Sequence, residues 1–135
     1  MVRLGMVMVL LALAAMVGGC GGDGEAVNIV GTWSGQMTHR IIDSNQGTDE
    51  TFVYTIVFHI QSQEGNVVSG KMQLRDSSHV GWLGGTMNGS HFTGVRRGAH
   101  DAAIEFDVNG NTLVGTFKFK GDGLDEIGTY TCTKH

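Results

Sequence analysis

The stretch TFVYTIVFHI, residues 51–60, decides the fold. Phe52, Tyr54, Ile56, Phe58 and Ile60 occupy every second position, and the residues between them are smaller or polar. Successive side chains of a β-strand point to opposite faces, so this alternation predicts a long strand with an apolar inner face. The rest of the chain after residue 27 shows the same period and no sustained helical spacing.

Seven further stretches can be interpreted in the same way. The eight predicted strands are residues 29–42, 50–62, 66–76, 79–87, 90–97, 100–108, 111–120 and 126–134. Their spacing leaves no room for crossover helices, so sequence neighbours must pair antiparallel. Proline is absent and glycine is abundant, and inward glycines let a sheet coil until its ends meet. We therefore predict an all-β fold, an eight-stranded antiparallel up-and-down β-barrel.

Turn motifs predict where the strands pair. The Asn-Gly at residues 109–110 predicts a two-residue turn that pairs Phe106 with Leu113, and the Asn-Gly at 88–89 predicts one that pairs Gly85 with Phe92. The motif G-x-x-φ-x-G, where φ is apolar, begins at residues 65, 89 and 110, so each first glycine is expected in a turn. The acidic stretch 41–51 is interpreted as a long turn that forms a lid or a contact surface.

The inward positions define the predicted barrel interior. The candidate ligand-binding residues are Trp33, Met37, Tyr54, Phe58, Met72, Leu83, Phe92, Arg96, Phe106, Phe117 and Tyr130. An eight-stranded barrel is either filled by its own side chains or holds one small ligand, and the pattern fits both. Inward glycines either leave a cavity or only let the strands pack closely.

Two basic residues extend the inward pattern toward one end of the barrel. Arg96 follows Gly94 on the inner face, and His100 precedes Ala102. A cation at a barrel mouth can orient a carboxylate or phosphate while the apolar lining holds the tail of the ligand. The alternative is that both side chains lie at strand ends and point to water.

The N-terminal segment has the features of an export signal. Arg3 precedes about 14 nearly uninterrupted apolar residues at 4–17, which are too few to cross a bilayer comfortably. The following VGGC resembles the lipobox of bacterial lipoproteins, with Val17 and two glycines before Cys20. The resemblance implies cleavage before Cys20 and acylation of this residue. The alternative is a plain signal peptide with an incidental cysteine.

Acylation implies both a location and a domain plan. Residues 1–19 are the lipoprotein signal peptide, 20–27 are a lipidated flexible tether, and 28–135 form the barrel domain. The expected partner is the lipid bilayer, which holds the chain through Cys20 in the cell envelope. A residue other than aspartate after that cysteine, here Gly21, implies the outer membrane if the cell is Gram-negative.

The first predicted strand carries a second resemblance. GTWSG, residues 31–35, is similar to the opening Gly-x-Trp of lipocalins and to the Gly-Thr-Trp of avidin-type barrels. With the strand count and order, it resembles these small calycin-type barrels at the level of the fold. The resemblance implies that Trp33 plugs one end of the barrel. No polar constellation of a biotin site accompanies it.

Other classes of function lack support in the sequence. Acidic residues outnumber Lys and Arg by 13 to 9, without a basic run, so nucleic acid is not an expected partner. Six histidines show no metal-ligand spacing, and no catalytic motif is present, so we expect no cofactor, no metal and no enzyme activity. If Cys20 is acylated, Cys132 has no disulfide partner, and it is expected to be a buried apolar residue.

Two functions remain for such a protein. The first is an envelope lipoprotein whose barrel binds a small hydrophobic or amphiphilic ligand, as a carrier or sensor. The second is an envelope protein-interaction module, such as an inhibitor of lysozyme or of a protease, which acts through the barrel loops.

Overall fold

A computed structural model describes residues 25–74, 79–98 and 100–135. The predicted signal peptide, Cys20 and residues 21–24 of the predicted tether lie outside these residues. The described chain is all-β. No helix of bilayer-spanning length and hydropathy occurs among the described residues.

Eight antiparallel strands follow one another around a closed barrel, and the last pairs with the first. The strands are β1 (Gly31–Asp43), β2 (Thr48–Glu64), β3 (Val67–Leu74), β4 (His79–Asn88), β5 (His91–Arg97), β6 (Ala102–Asn109), β7 (Thr112–Gly121) and β8 (Leu124–Lys134). Each boundary lies within two residues of the predicted one. The predicted eight-stranded up-and-down barrel is therefore confirmed.

The interior is built from the alternate residues of each strand. In β6 the pattern is strict, since Ala102, Ile104, Phe106 and Val108 are buried and the residues between them are exposed. The buried apolar side chains of all eight strands form one continuous core. Burial on one face fixes which side of every strand turns inward, because a shift by one residue would reverse all of its side chains.

The predicted register of two hairpins is wrong by two residues. The turn between β6 and β7 is 110–111, not 109–110, so Phe106 pairs with Gly115 instead of Leu113. Gly110 has φ of +61°, and no non-glycine residue of this turn has a positive φ. A glycine at the first central position forms a type II′ turn, so the order Gly-Asn matches the strand twist here.

The hairpin between β4 and β5 has the same geometry. Its turn is 89–90, with Gly89 at φ of +60°, so Gly85 pairs with Gly94 instead of Phe92. Because the shift is by two residues, the predicted inner and outer faces are unchanged. The first glycine of each G-x-x-φ-x-G motif does lie in a turn, as predicted.

One end of the barrel is closed by the chain ahead of β1. Ile29 is fully buried, and its carbonyl accepts a hydrogen bond from Trp33 Nε1 at 2.9 Å. The Gln63 side chain accepts from the Ile29 N–H and donates to the Val27 carbonyl, both at 2.9 Å. Ala26 also packs against the core. Contact with the barrel thus begins within the segment predicted as a tether, and Trp33 lies at this closed end.

The opposite end has one tall side. β1 and β2 continue to Asp43 and Thr48, and residues 119–121 of β7 pair only with β8 among the described residues. The four-residue turn 44–47 therefore replaces most of the long turn that was predicted at 41–51. Thus β7, β8, β1 and β2 extend beyond the other four strands and form one wall of the mouth.

Candidate functional site

Most of the predicted ligand-binding residues fill the barrel. At most 2% of each side chain is exposed for Trp33, Met37, Phe58, Met72, Leu83, Phe92, Phe106, Phe117 and Tyr130. A residue without accessible surface adjoins no water-sized space, whether open or enclosed. These residues therefore pack against one another through the middle of the barrel. Of the predicted set, Tyr54 and Arg96 are the ones that remain only partly buried.

The inward glycines contribute to this filling. A Cβ atom at Gly70 would lie 2.2 Å from the His59 carbonyl oxygen, and one at Gly115 would lie 2.1 Å from that of Glu105. Cβ atoms do not approach backbone oxygens so closely, because the electron shells overlap. These two glycines therefore allow neighbouring strands to approach each other closely, and they leave no space in the lumen.

Four polar side chains from four strands meet at the mouth of the barrel. We call them the mouth cluster: His39 of β1, Tyr54 of β2, Arg96 of β5 and Glu126 of β8. His39 and Glu126 are 5% and 9% exposed. Charged residues are seldom buried so deeply unless they are paired. The contacts that His39 and Glu126 make therefore determine the chemistry of the mouth.

His39 joins two members of the mouth cluster. Its Nδ1 contacts the Tyr54 hydroxyl, and its Nε2 lies 2.8 Å from Glu126 Oε1. This Nε2 contact lacks the alignment of a hydrogen bond and is a close polar contact between the imidazole and the carboxylate. The neighbouring imidazole nevertheless holds the pKa of the Glu126 carboxyl below its usual range, against the opposite effect of burial.

Arg96 turns inward, as its position in β5 predicts. Its Cζ lies 5.2 Å from the ring centroid of Phe117, and its Nη2 donates to the His100 carbonyl at 3.2 Å. Its Nε is buried and has no hydrogen-bond partner among the described residues. Burial lowers the pKa of the guanidinium, although Glu126 acts in the opposite direction. Arg96 is therefore directed into the mouth and remains partly exposed.

His100 behaves differently from Arg96. It is exposed at the rim, outside β5 and β6, and its ring centroid lies 4.6 Å from that of Phe119. His100 therefore points to water, as the alternative interpretation of the sequence predicts. Arg96 therefore places its cation inside the mouth, whereas His100 lies on the edge and contacts an aromatic ring.

Apolar side chains stand above the mouth cluster on the tall side of the barrel. We call Ile41, Phe52 and Phe119 the apolar wall. Ile41 and Phe119 each pair with Glu126, while Phe52 pairs with His39, so all three share the inner face. Each is only partly buried. The mouth therefore combines a polar floor with an exposed apolar side.

The sequence did not identify His39 and Glu126 as partners. His39 is one of the six histidines without metal-ligand spacing, and Glu126 begins the predicted strand 126–134. The signal that identifies them is an acid or imidazole at an inward position of an otherwise apolar face. Among the described residues, no group of three or more His, Cys, Asp or Glu side chains is arranged to hold a metal ion.

Acid should weaken the fold through Glu126. Because the folded pKa is lower than that of the unfolded chain, its stabilisation is present above the unfolded value, about 4.3, and is lost as the pH falls through the folded value. The unfolding free energy, measured by urea titration from pH 6 to pH 3, should fall less steeply in Glu126→Gln than in the natural chain. Parallel profiles would contradict the prediction. His39→Gln removes the partner and should lower stability at pH 6.

Cys132 should be chemically inert in the folded protein. It is buried on β8, as predicted, and burial raises its pKa to about 12. The thiolate is the reactive form, so almost no reactive species exists near pH 8. Iodoacetamide should therefore leave Cys132 unmodified in the native protein and alkylate it in urea, as mass spectrometry of the peptide would report. Equal alkylation rates in both conditions would refute the prediction.

Neither a protein-family model nor a curated protein matches this sequence.

Proposed function

We propose that the protein is a lipid-anchored protein of the cell envelope whose barrel mouth binds a small amphiphilic molecule with an anionic head, as a carrier or sensor. The observation that carries the proposal is the inward guanidinium of Arg96, whose buried Nε has no partner among the described residues. A buried donor without an acceptor is costly, and an anionic group bound there would remove that cost.

The neighbours of Arg96 support an anion of small size. Glu126 contacts His39, and no ion pair between its carboxylate and Arg96 occurs among the described contacts. Tyr54 acts electrostatically on Arg96, while both ring nitrogens of His39 already contact Tyr54 and Glu126. A carboxylate or phosphate head would therefore meet the Arg96 guanidinium at the polar floor of the mouth.

The apolar wall supports a hydrophobic tail. Because the middle of the barrel is filled, the tail would lie along Ile41, Phe52 and Phe119 instead of descending toward Trp33. Burial of apolar surface contributes about 25 cal/mol per Å², so even a short chain adds useful affinity. The ligand expected is thus short, with its head on the floor of the mouth and its tail toward the rim.

A fluorescent fatty acid tests the binding site. Dansyl-labelled undecanoic acid should bind the natural protein more tightly than its uncharged methyl ester, and Arg96→Gln should weaken binding of the acid at least about tenfold, since hydrogen bonds to charged groups contribute about 1.5–3 kcal/mol. Arg97→Gln is the matched control, because Arg97 is the next residue, faces outward and is 72% exposed on its side chain. Equal affinity of the natural protein and Arg96→Gln would reject the site.

The anchor is tested separately from the mouth. The order Val-Gly-Gly-Cys at residues 17–20 supports acylation of Cys20, and several acyl chains on one residue hold a protein firmly at a bilayer. Radiolabelled palmitate should enter the natural chain in its native host and fail to enter Cys20→Ser. Absence of label from the natural chain would remove the lipid anchor from the proposal and leave the ligand site standing.

A second candidate is an interaction module that acts through the loops. Two neighbouring turns on the tall side brace each other: Asn45 Nδ2 donates to the Asp122 carbonyl at 2.7 Å, and the Ser44 N–H donates to the Gly123 carbonyl at 2.8 Å. Rigid projecting turns suit contact with an envelope enzyme, such as lysozyme or a protease, that the protein would inhibit. Native mass spectrometry distinguishes the candidates, since a bound small molecule favours the first and a bound protein the second.

A further inference from the structure

The outer surface of the barrel carries a large exposed aromatic side chain. Trp82, in the middle of β4, is 62% exposed, whereas the other tryptophan, Trp33, is 1% exposed. Two further apolar residues lie near it, Val80 on the same strand and Val95 on β5, exposed by 46% and 37%. Exposed apolar groups that cluster on a soluble face indicate a contact surface.

Basic residues flank Trp82 on both sides. Lys71 of β3 and Arg97 of β5 are its direct cross-strand partners, so the three side chains form one row across three strands. The Lys71 Nζ lies 5.0 Å from the centroid of the indole ring. We call Lys71, Trp82 and Arg97 the basic-aromatic row.

The strands around this row are free of acidic residues. β3, β4 and β5 contain no Asp or Glu, although the whole chain has a net charge of −4. Among the described ion pairs, Asp101 Oδ2 lies 3.3 Å from Arg97 Nη1 at the exposed rim, and Glu105 and Asp107 of β6 contact His91 at the other end of β5. The strands β3, β4 and β5 therefore contribute only basic charged groups, while the protein as a whole is acidic.

The chain leaves the barrel at its closed end, beside the turn between β4 and β5, whereas Trp82 and Arg97 pair at the other end of these two strands, toward the mouth. The Val27 N–H donates to the Gly89 carbonyl at 2.9 Å, directly after β4. Five residue steps separate Cys20 from Glu25, and such a segment spans at most about 18 Å when fully extended. An acyl group on Cys20 would therefore hold the closed end of β4 and β5 near the bilayer surface, from which the β3–β5 side of the barrel can lie against the membrane.

We infer that the basic-aromatic row docks against the phospholipid headgroups of the membrane in which the protein is anchored. The indole suits the interface between headgroups and acyl chains, where tryptophan is enriched, and the two cations suit lipid phosphates. The inference rests on the proposed acylation of Cys20. It places the barrel on its side, with the mouth cluster and the apolar wall open to the aqueous phase.

Quenching of tryptophan emission tests this orientation. The mature protein, purified from its host membrane, is reconstituted in vesicles of phosphatidylethanolamine and phosphatidylglycerol at 3:1, with and without brominated acyl chains. Brominated lipid should remove most of the emission that Trp82 contributes, measured as the difference between the natural protein and Trp82→Phe. Trp33 should keep its emission, because it is buried inside the barrel.

A displaced tryptophan provides the matched control. Val114 on β7 is 52% exposed and lies three strands from β4, so Trp82→Phe combined with Val114→Trp moves the exposed indole off the proposed face. This variant should show no quenching of the added indole. Quenching at both positions, or at neither, would overturn the proposed orientation.

Sedimentation of the vesicles distinguishes a wrong docking face from a missing lipid anchor. Protein that pellets with the vesicles while Trp82 remains unquenched overturns the docking face and leaves the anchor standing. Protein that stays in the supernatant without quenching overturns both. If Trp82 is shielded from aqueous acrylamide even without vesicles, a second copy of the chain covers the row, and the lipid assignment is wrong.

Discussion

Replacing Gly35 with alanine should destabilise the barrel by about 3 kcal/mol or more, because the new methyl group has no space. Gly35 lies on β1 opposite Cys132 of β8. A Cβ atom there would lie 1.8 Å from the Thr131 carbonyl oxygen and 2.8 Å from Cys132 Cα. Both are backbone atoms, so relief requires the two strands that close the barrel to separate.

Gly84 provides the control for this substitution. It also lies within a strand, but nothing would lie within 4 Å of its Cβ atom. Gly84→Ala should therefore raise the unfolding free energy by roughly 0.5–1 kcal/mol, since glycine is the poorer strand residue. Urea unfolding followed by far-UV circular dichroism measures both variants. Similar stabilities of Gly35→Ala and Gly84→Ala would show that the β1–β8 contact yields easily.

Phe92→Ala should lower the unfolding free energy by about 3–5 kcal/mol, the usual cost of a large cavity in a packed core. Phe92 has no exposed surface, and its ring stacks on that of Phe106 with centroids 4.5 Å apart. The same ring covers two glycines, since Cβ atoms at Gly85 and Gly94 would lie 2.7 and 2.6 Å from it. Because glycines have no side chains, these two neighbours cannot fill the space that the Phe92 ring vacates.

Val114→Ala is the control for the Phe92 variant. Val114 is 52% exposed on the outer face of β7, so its truncation should change stability by less than about 0.5 kcal/mol. Both variants are measured by the same urea titration. A loss at Phe92 no larger than the loss at Val114 would mean that the aromatic stack contributes little to the core.

The strands and faces of this barrel were predictable because burial enforces a period of two. Alternation in β2 and β6 is visible without any knowledge of partners. The pairing register was not predictable by the same means. Asn-Gly and Gly-Asn both suit a two-residue turn, and a shift of two residues leaves Phe106 on the inner face. The pattern of apolar residues is therefore equally satisfied by the predicted and the observed register.

The mouth was only partly predictable. The parity of β5 turns Arg96 inward, but its depth depends on how far the neighbouring strands rise, which no local pattern encodes. His39 and Glu126 meet only because β1 pairs with β8, at opposite ends of the sequence. The sequence places Ile29 in the first predicted strand, on the same face as Trp33, but does not show that this residue precedes β1 and closes one end of the barrel. Local sequence patterns identify which face of each strand is buried, whereas the site forms only when β1 and β8 close the barrel.

The pairing of β1 with β8 also sets the order in which the protein can form. The bond between Ser34 and His135 joins positions 101 residues apart, so this seam cannot form until nearly the whole chain is available. Contacts of such long sequence separation slow folding, because the loop entropy must be lost before they form. Until then the incomplete sheet presents two unpaired strands to other polypeptides. Chaperone protection would therefore matter most for intermediates in which the last strand has not yet joined the first.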